Sequence, residues 1–66
     1  MHILVNGTDT EIVPGTTLDR LIETLGLTGH RLAVEANEEL VPRSRFPVYP
    51  LSVADKVEII QAVGGG

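Results

Sequence analysis

Lys56-Val57-Glu58-Ile59-Ile60-Gln61-Ala62-Val63-Gly64-Gly65-Gly66 is the stretch whose reading decides the fold. It begins as a β-branched, apolar run and ends in three glycines. A strand needs side chains to pack, and glycine supplies none. Glycine also loses the most entropy on ordering. The spacing therefore predicts a strand over 56–61, with Val57 and Ile59 inward, and an arm over 63–66. Four extended residues reach roughly 13 Å. Such an arm suits a terminal carboxylate that must enter a narrow site on another protein. The alternative is a frayed end with no role, the default for chain termini.

Outward from that strand, the rest of the chain reads as a small body over 1–62. Ile3-Leu4-Val5 is β-branched, and Asn6-Gly7 is a strong hairpin signal because both residues tolerate positive φ. The return strand is expected over 10–13, before Pro14-Gly15. Thr16 is the expected helix cap, with Asp19 at the third helical position, favoured by the positive end of the dipole. Leu18, Leu21, Ile22 and Leu25 fall at i, i+3, i+4 and i+7, so one apolar face should be core. Gly26 ends the helix, and Leu27 can fold back on its last turn.

Leu32-Ala33-Val34-Glu35-Ala36 alternates, with Leu32, Val34 and Ala36 inward. Asn37-Glu38-Glu39 is a turn, and Leu40-Val41 a short strand stopped by Pro42. Residues 43–50 carry Pro47 and Pro50 and read as loop, with one helical turn at Ser44-Arg45-Phe46. Phe46 and Leu51 plug the open end of the core, and Val53-Ala54-Asp55 is a tight turn. The order is β-β-α-β-β-β. The first and last strands are both apolar enough to be central. Placing them side by side and parallel gives an α+β, β-grasp arrangement: a mixed sheet of four to five strands with one helix on one face.

Sixty-six residues make one small domain that buries only about 60% of its unfolded surface, so packing must be efficient. With no cysteine, disulfides, zinc–thiolate sites and iron–sulfur clusters are excluded. A net charge of −4 and only two aromatics, Phe46 and Tyr49, argue against nucleic-acid binding. No run approaches the ~20 apolar residues of a membrane span, and the N-terminus lacks signal-peptide regions. A cytoplasmic location is expected.

Enzymatic machinery is not legible. His2 and His30 are distant in sequence, and neither sits in a nucleophile–base motif. Glu38-Glu39 reads as a solvated turn. A one-layer domain has little room for a ligand pocket of ~300 Å³. The exception to a wet outer sheet face is Leu4 and Ile60, with Ala33 beside them. With Val63 they form a candidate docking patch, rimmed by Arg43, Arg45 and Lys56.

Asn6-Gly7, Thr16-Thr17-Leu18, Leu32-Ala33-Val34 then Asn37, Val41-Pro42-Arg43, Leu51, Val57-Glu58-Ile59 and Gly65-Gly66, in that order, resemble the ThiS family of sulfur carriers in thiamine biosynthesis. The resemblance covers essentially the whole chain. Departures are Val53-Ala54-Asp55 where the family often has Asp-Gly-Asp, Phe46 where it has tryptophan nearby, and the extra Gly64. If Ala54 needs positive φ, that costs roughly 1 kcal/mol.

The resemblance implies a ubiquitin-like protein cosubstrate rather than an enzyme. Gly66, at the end of a Gly64-Gly65-Gly66 tail, would be adenylated by an E1-like (ThiF-like) adenylyltransferase using ATP and Mg. A sulfur donor protein would convert it to a thiocarboxylate, and a thiazole synthase (ThiG-like) would receive the sulfur. No cofactor or metal is implied for the chain itself. The alternatives are a carrier like the small subunit of molybdopterin synthase, and a β-grasp interaction module with an inert tail.

Overall fold

The computed structural model describes residues 1–62. The Val63–Gly66 stretch, and with it the arm, lies outside the described residues. Within 1–62 the order is β1 (His2–Val5), β2 (Thr8–Glu11), α1 (Leu18–Thr24), β3 (Leu32–Ala36), β4 (Glu39–Val41), a 3-10 helix (Arg43–Val48) and β5 (Lys56–Gln61). The strands form a single mixed sheet in the order β2-β1-β5-β3-β4. β1 and β5 are parallel, and the other neighbours are antiparallel. This is the expected β-grasp arrangement, with β5 central.

Alternation along the strands produces the inner face. Ile3 and Val5, Val34 and Ala36, Val41, and Val57 and Ile59 are all buried. They pack with Leu18, Leu21 and Ile22 of α1 in one core, which Phe46 and Leu51 close. Leu25, the fourth residue of the expected helical face, is instead 40% exposed. It is the C-cap residue, with the helix already ending beneath it.

α1 is capped by Thr17, not Thr16. The Thr17 hydroxyl accepts from Arg20 N–H at 3.4 Å, which makes Asp19 the second helical residue. Thr16 is committed elsewhere. Its hydroxyl donates to Val13 O at 2.6 Å, and its carbonyl accepts from Leu51 N–H at 3.0 Å. The C-terminus closes as expected. Gly26 (φ +74) donates to Glu23 O, and Leu27 N–H donates to Ile22 O, both at 3.0 Å.

The return strand also differs from the sequence expectation. β2 starts at Thr8, because Asn6 (φ 51) and Gly7 (φ 81) close a two-residue turn that pairs Val5 with Thr8. Ile12 lies past the strand but still bonds Met1 in both directions, at 2.7 and 2.8 Å. The helical turn expected at 44–46 is a longer 3-10 helix that contains Pro47.

Candidate functional site

β5 is the strand that leads to the glycine-rich residues, so its anchoring matters most. On one side it pairs with β3 over all but its first residue, from Ala36 opposite Val57 to Leu32 opposite Gln61. On the other side β1 pairs only Leu4 with Lys56 and Val5 with Val57. Then β1 turns away, and a side chain replaces it. Asn6 Oδ1 accepts from Ile59 N–H at 2.8 Å, and Asn6 Nδ2 donates to Ile59 O at 3.2 Å.

A second asparagine does similar work at the start of β5. Asn37 N–H donates to Lys56 O at 2.7 Å, and Asn37 Oδ1 accepts from Lys56 N–H at 3.0 Å. Its Nδ2 donates to Asp55 Oδ1 at 3.0 Å. Asn37 (φ 52) and Glu38 (φ 70) close the β3–β4 hairpin, as Asn6 and Gly7 close the first. Asparagine is the side chain that tolerates this backbone and still offers a donor and an acceptor. The sequence marked both residues as turns. Their grip on a strand far away in sequence was not legible.

At its far end β5 is tied to the loop before β3. Ala62 N–H donates to Arg31 O at 2.9 Å. Gln61 Nε2 lies 2.6 Å from His30 Nδ1, and Arg43 Nη2 donates to His30 O at 3.0 Å. The sequence puts His30 in a loop and Gln61 at the end of the last strand, and both are exposed. Their pairing crosses 31 positions of chain, so no local pattern announces it.

The outer sheet face carries the sequence-predicted patch only in part. Ala33 stands opposite Ile60, which is 59% exposed. Leu4 faces the same way at 40% exposure but stands opposite Lys56, four positions earlier on β5. At a strand rise of 3.3 Å that is about 13 Å from Ile60, so the register separates what the sequence grouped. Glu35 opposes Glu58 between them, and Leu40, 69% exposed, opposes Glu35. Val63, Gly64, Gly65 and Gly66 lie outside the described residues.

The expected basic rim is also dispersed. Lys56 lies beside Leu4, while Arg43 turns to the His30 carbonyl and Arg45 borders the β4 edge near Glu39 and Tyr49. Among the described residues no group of three or more histidines, cysteines or carboxylates is placed to hold a metal. His2 Nδ1 and Asp9 Oδ1 lie 3.1 Å apart on the surface. An open groove of about 430 Å³ runs between α1 and the 3-10 helix, larger than the sequence suggested. A single sheet with one helix across it forms such grooves without enclosing them.

The family model described as the ThiS family matches residues 3–66, nearly the whole chain and all of its glycine-rich end. The chain belongs to the ThiS family. Its fold agrees with that of the thiamine biosynthesis protein ThiS from Geobacter metallireducens. The crystal structure of that protein superposes with a TM-score of 0.84 at 26% identity, covering 100% of both chains. Its NMR solution structure gives 0.80, covering 100% of this chain and 88% of that one. Two thiazole synthases, from Paramagnetospirillum magneticum and Magnetococcus marinus, are 33% and 35% identical to it over 66 residues. The match covers all of this chain and 20% of each of theirs, so the ThiS-family chain spans about a fifth of the length of those relatives. The uncharacterized protein ycf40 of Porphyra purpurea is 36% identical over 66 residues, which is 93% of its length. Among the described residues no helix is long and apolar enough to cross a membrane.

Proposed function

We propose that this chain is a cytoplasmic sulfur carrier for thiazole formation in thiamine biosynthesis, and that Gly66 carries the sulfur. The family match running through Gly66 is the observation that carries this reading. The reading requires the mature chain to end at Gly66 with a free carboxylate. An E1-like adenylyltransferase binds the body and takes the tail into its active site. A Gly66 carboxylate oxygen attacks the α-phosphorus of ATP, held with Mg by that partner, and pyrophosphate leaves. A sulfide-level nucleophile delivered by a sulfur donor protein then attacks the carbonyl carbon. The carbon–sulfur bond forms, the bond to the phosphate oxygen breaks, and AMP departs. The product is a thiocarboxylate.

Physical chemistry supports each feature. A carboxylate is a poor electrophile, and adenylation supplies a leaving group. A tethered thiocarboxylate is delivered at high effective concentration. Glycines carry no β-carbon to collide with the walls of a partner's channel. The chain is a cosubstrate, and the catalytic groups belong to its partners.

That a unit similar to this chain makes up a fifth of proteins named thiazole synthase supports a thiazole synthase as the recipient, in preference to a molybdopterin pathway. The outer face around Ile60 and Ala33, with Leu4 as an outlying member, is the surface proposed for docking. Intact mass of protein isolated from its own cells tests the reading. One oxygen replaced by sulfur, localised to the C-terminal fragment, is expected. A chain extended by one residue after Gly66 should stay folded and fail to load, and an extended chain that still loads overturns the proposal.

A further inference from the structure

We propose that His30 and Gln61 are positioning residues that fix the direction in which the chain leaves the sheet after Ala62. The inference rests on the carrier reading above. Among the described residues, Ala62 is the point where the body meets the stretch that must be delivered. Its N–H reaches Arg31 O at 2.9 Å, a bond one position beyond the last β3–β5 pair, Leu32 with Gln61. A single terminal rung on an exposed loop is prone to fray.

Two side-chain contacts back that rung. An amide nitrogen only donates, so Gln61 Nε2, 2.6 Å from His30 Nδ1, gives its proton to an accepting ring nitrogen. Arg43 Nη2 then holds the His30 carbonyl from the side of the 3-10 helix at 3.0 Å. The loop that carries the Arg31 acceptor is thus gripped from β5 and from the 3-10 helix. Neither contact lies in the core, where Leu18, Leu21 and Val34 set stability. Their effect is on where the end of β5 points.

The clasp acts in the free carrier, because a partner's channel dictates the path once the tail is inside. Loss of the clasp should raise the carrier's KM for adenylation and leave kcat nearly unchanged. The expected size is ~2- to 10-fold, the equilibrium worth of one net hydrogen bond. His30→Ala and Gln61→Ala should each show it. The double variant should show no more than either single one, because both remove the same contact. His30→Asn places an amide oxygen near the position of Nδ1 and should restore the wild-type value.

The test pairs those kinetics with hydrogen exchange at the Ala62 amide in the isolated carrier. Exchange should quicken in both alanine variants, recover in His30→Asn, and leave the core amides of β3 unchanged. Unchanged Ala62 exchange in His30→Ala overturns the clasp, whatever the partner enzyme does. Faster exchange with an unchanged KM overturns its role in delivery. A wild-type chain that accepts no adenylate is a failure of the carrier reading, visible before any variant is made.

Discussion

Asn6 occupies both backbone hydrogen-bonding groups of Ile59, accepting from its N–H at 2.8 Å and donating to its carbonyl at 3.2 Å. The side chain adds one rung to a parallel ladder whose backbone part ends with Asn6 N–H on Val57 O at 2.9 Å. Replacing Asn6 by alanine leaves two part-buried groups on the central strand without these partners and puts a β-carbon residue at φ 51. Two net hydrogen bonds are worth about 1–3 kcal/mol, and the left-handed backbone costs alanine ~1–2 kcal/mol more. Asn6→Gly keeps the backbone without strain and loses the bonds, with a further ~0.4–1 kcal/mol of unfolded-state entropy. Urea unfolding should rank wild type above Asn6→Gly, and Asn6→Gly above Asn6→Ala. Equal midpoints for all three would remove Asn6 as an anchor.

Ala54 sits at φ 67 in the turn before β5, with its N–H on His2 O at 2.8 Å. This is the middle residue of Val53-Ala54-Asp55, where the resemblance read from the sequence would place a glycine. Alanine is strained here by ~1–2 kcal/mol, while glycine costs ~0.4–1 kcal/mol through unfolded-state entropy. Ala54→Gly should therefore stabilise the body by about 0.5–1 kcal/mol. For a domain of this size that raises Tm by ~2–8 °C, measurable by thermal unfolding. A lower Tm would mean the turn bears no strain at Ala54.

Most of the fold was legible because its determinants are local. The alternation of Leu32-Ala33-Val34-Glu35-Ala36 gave β3 to the residue, and Gly26 gave the helix end. The parallel pairing of β1 with β5 followed from two apolar strands competing for the centre. What was not legible depends on contacts across the chain. Thr17 replaces Thr16 as the cap because Val13 and Leu51 already engage Thr16. Leu4 is parted from Ile60 by the β1–β5 register, which pairs Leu4 with Lys56 and Val5 with Val57. The candidate site shows the same division. The glycine-rich end, a purely local pattern, lies outside the described residues, while the Gln61–His30 and Asn6–Ile59 contacts on the strand before it are tertiary.

The helix offers a clean contrast between two leucines that share its apolar spacing. Leu21 is 1% exposed and Leu25 is 40% exposed. Truncating a fully buried leucine to alanine costs about 2–5 kcal/mol through lost burial and the cavity left behind. Small domains have little margin, so Leu21→Ala should be largely unfolded at 37 °C by circular dichroism. Leu25→Ala should lose less than about 1 kcal/mol, because the C-cap leucine keeps much of its surface in water. A comparable loss for both would mean Leu25 is sheltered in solution.

On the outer face, Ile60 and Leu4 separate docking from folding. Ile60 stands opposite Ala33, and a small neighbour leaves its side chain available to a partner. Leu4 stands opposite Lys56, whose charged head keeps water nearby. If the face around Ile60 docks the adenylating partner, Ile60→Ala should weaken that complex by about 1–2 kcal/mol, or ~5- to 30-fold in Kd. Leu4→Ala should cost less than about threefold, since rim contacts contribute little. Neither change should move the body's stability by more than ~0.5 kcal/mol, because both side chains are largely outside the core. Titration calorimetry against the partner, with thermal unfolding alongside, reads both quantities. The reverse order, with Leu4 dominating, would shift the docking surface to the β1–β2 side of the sheet and away from the end of β5 that leads to Gly66.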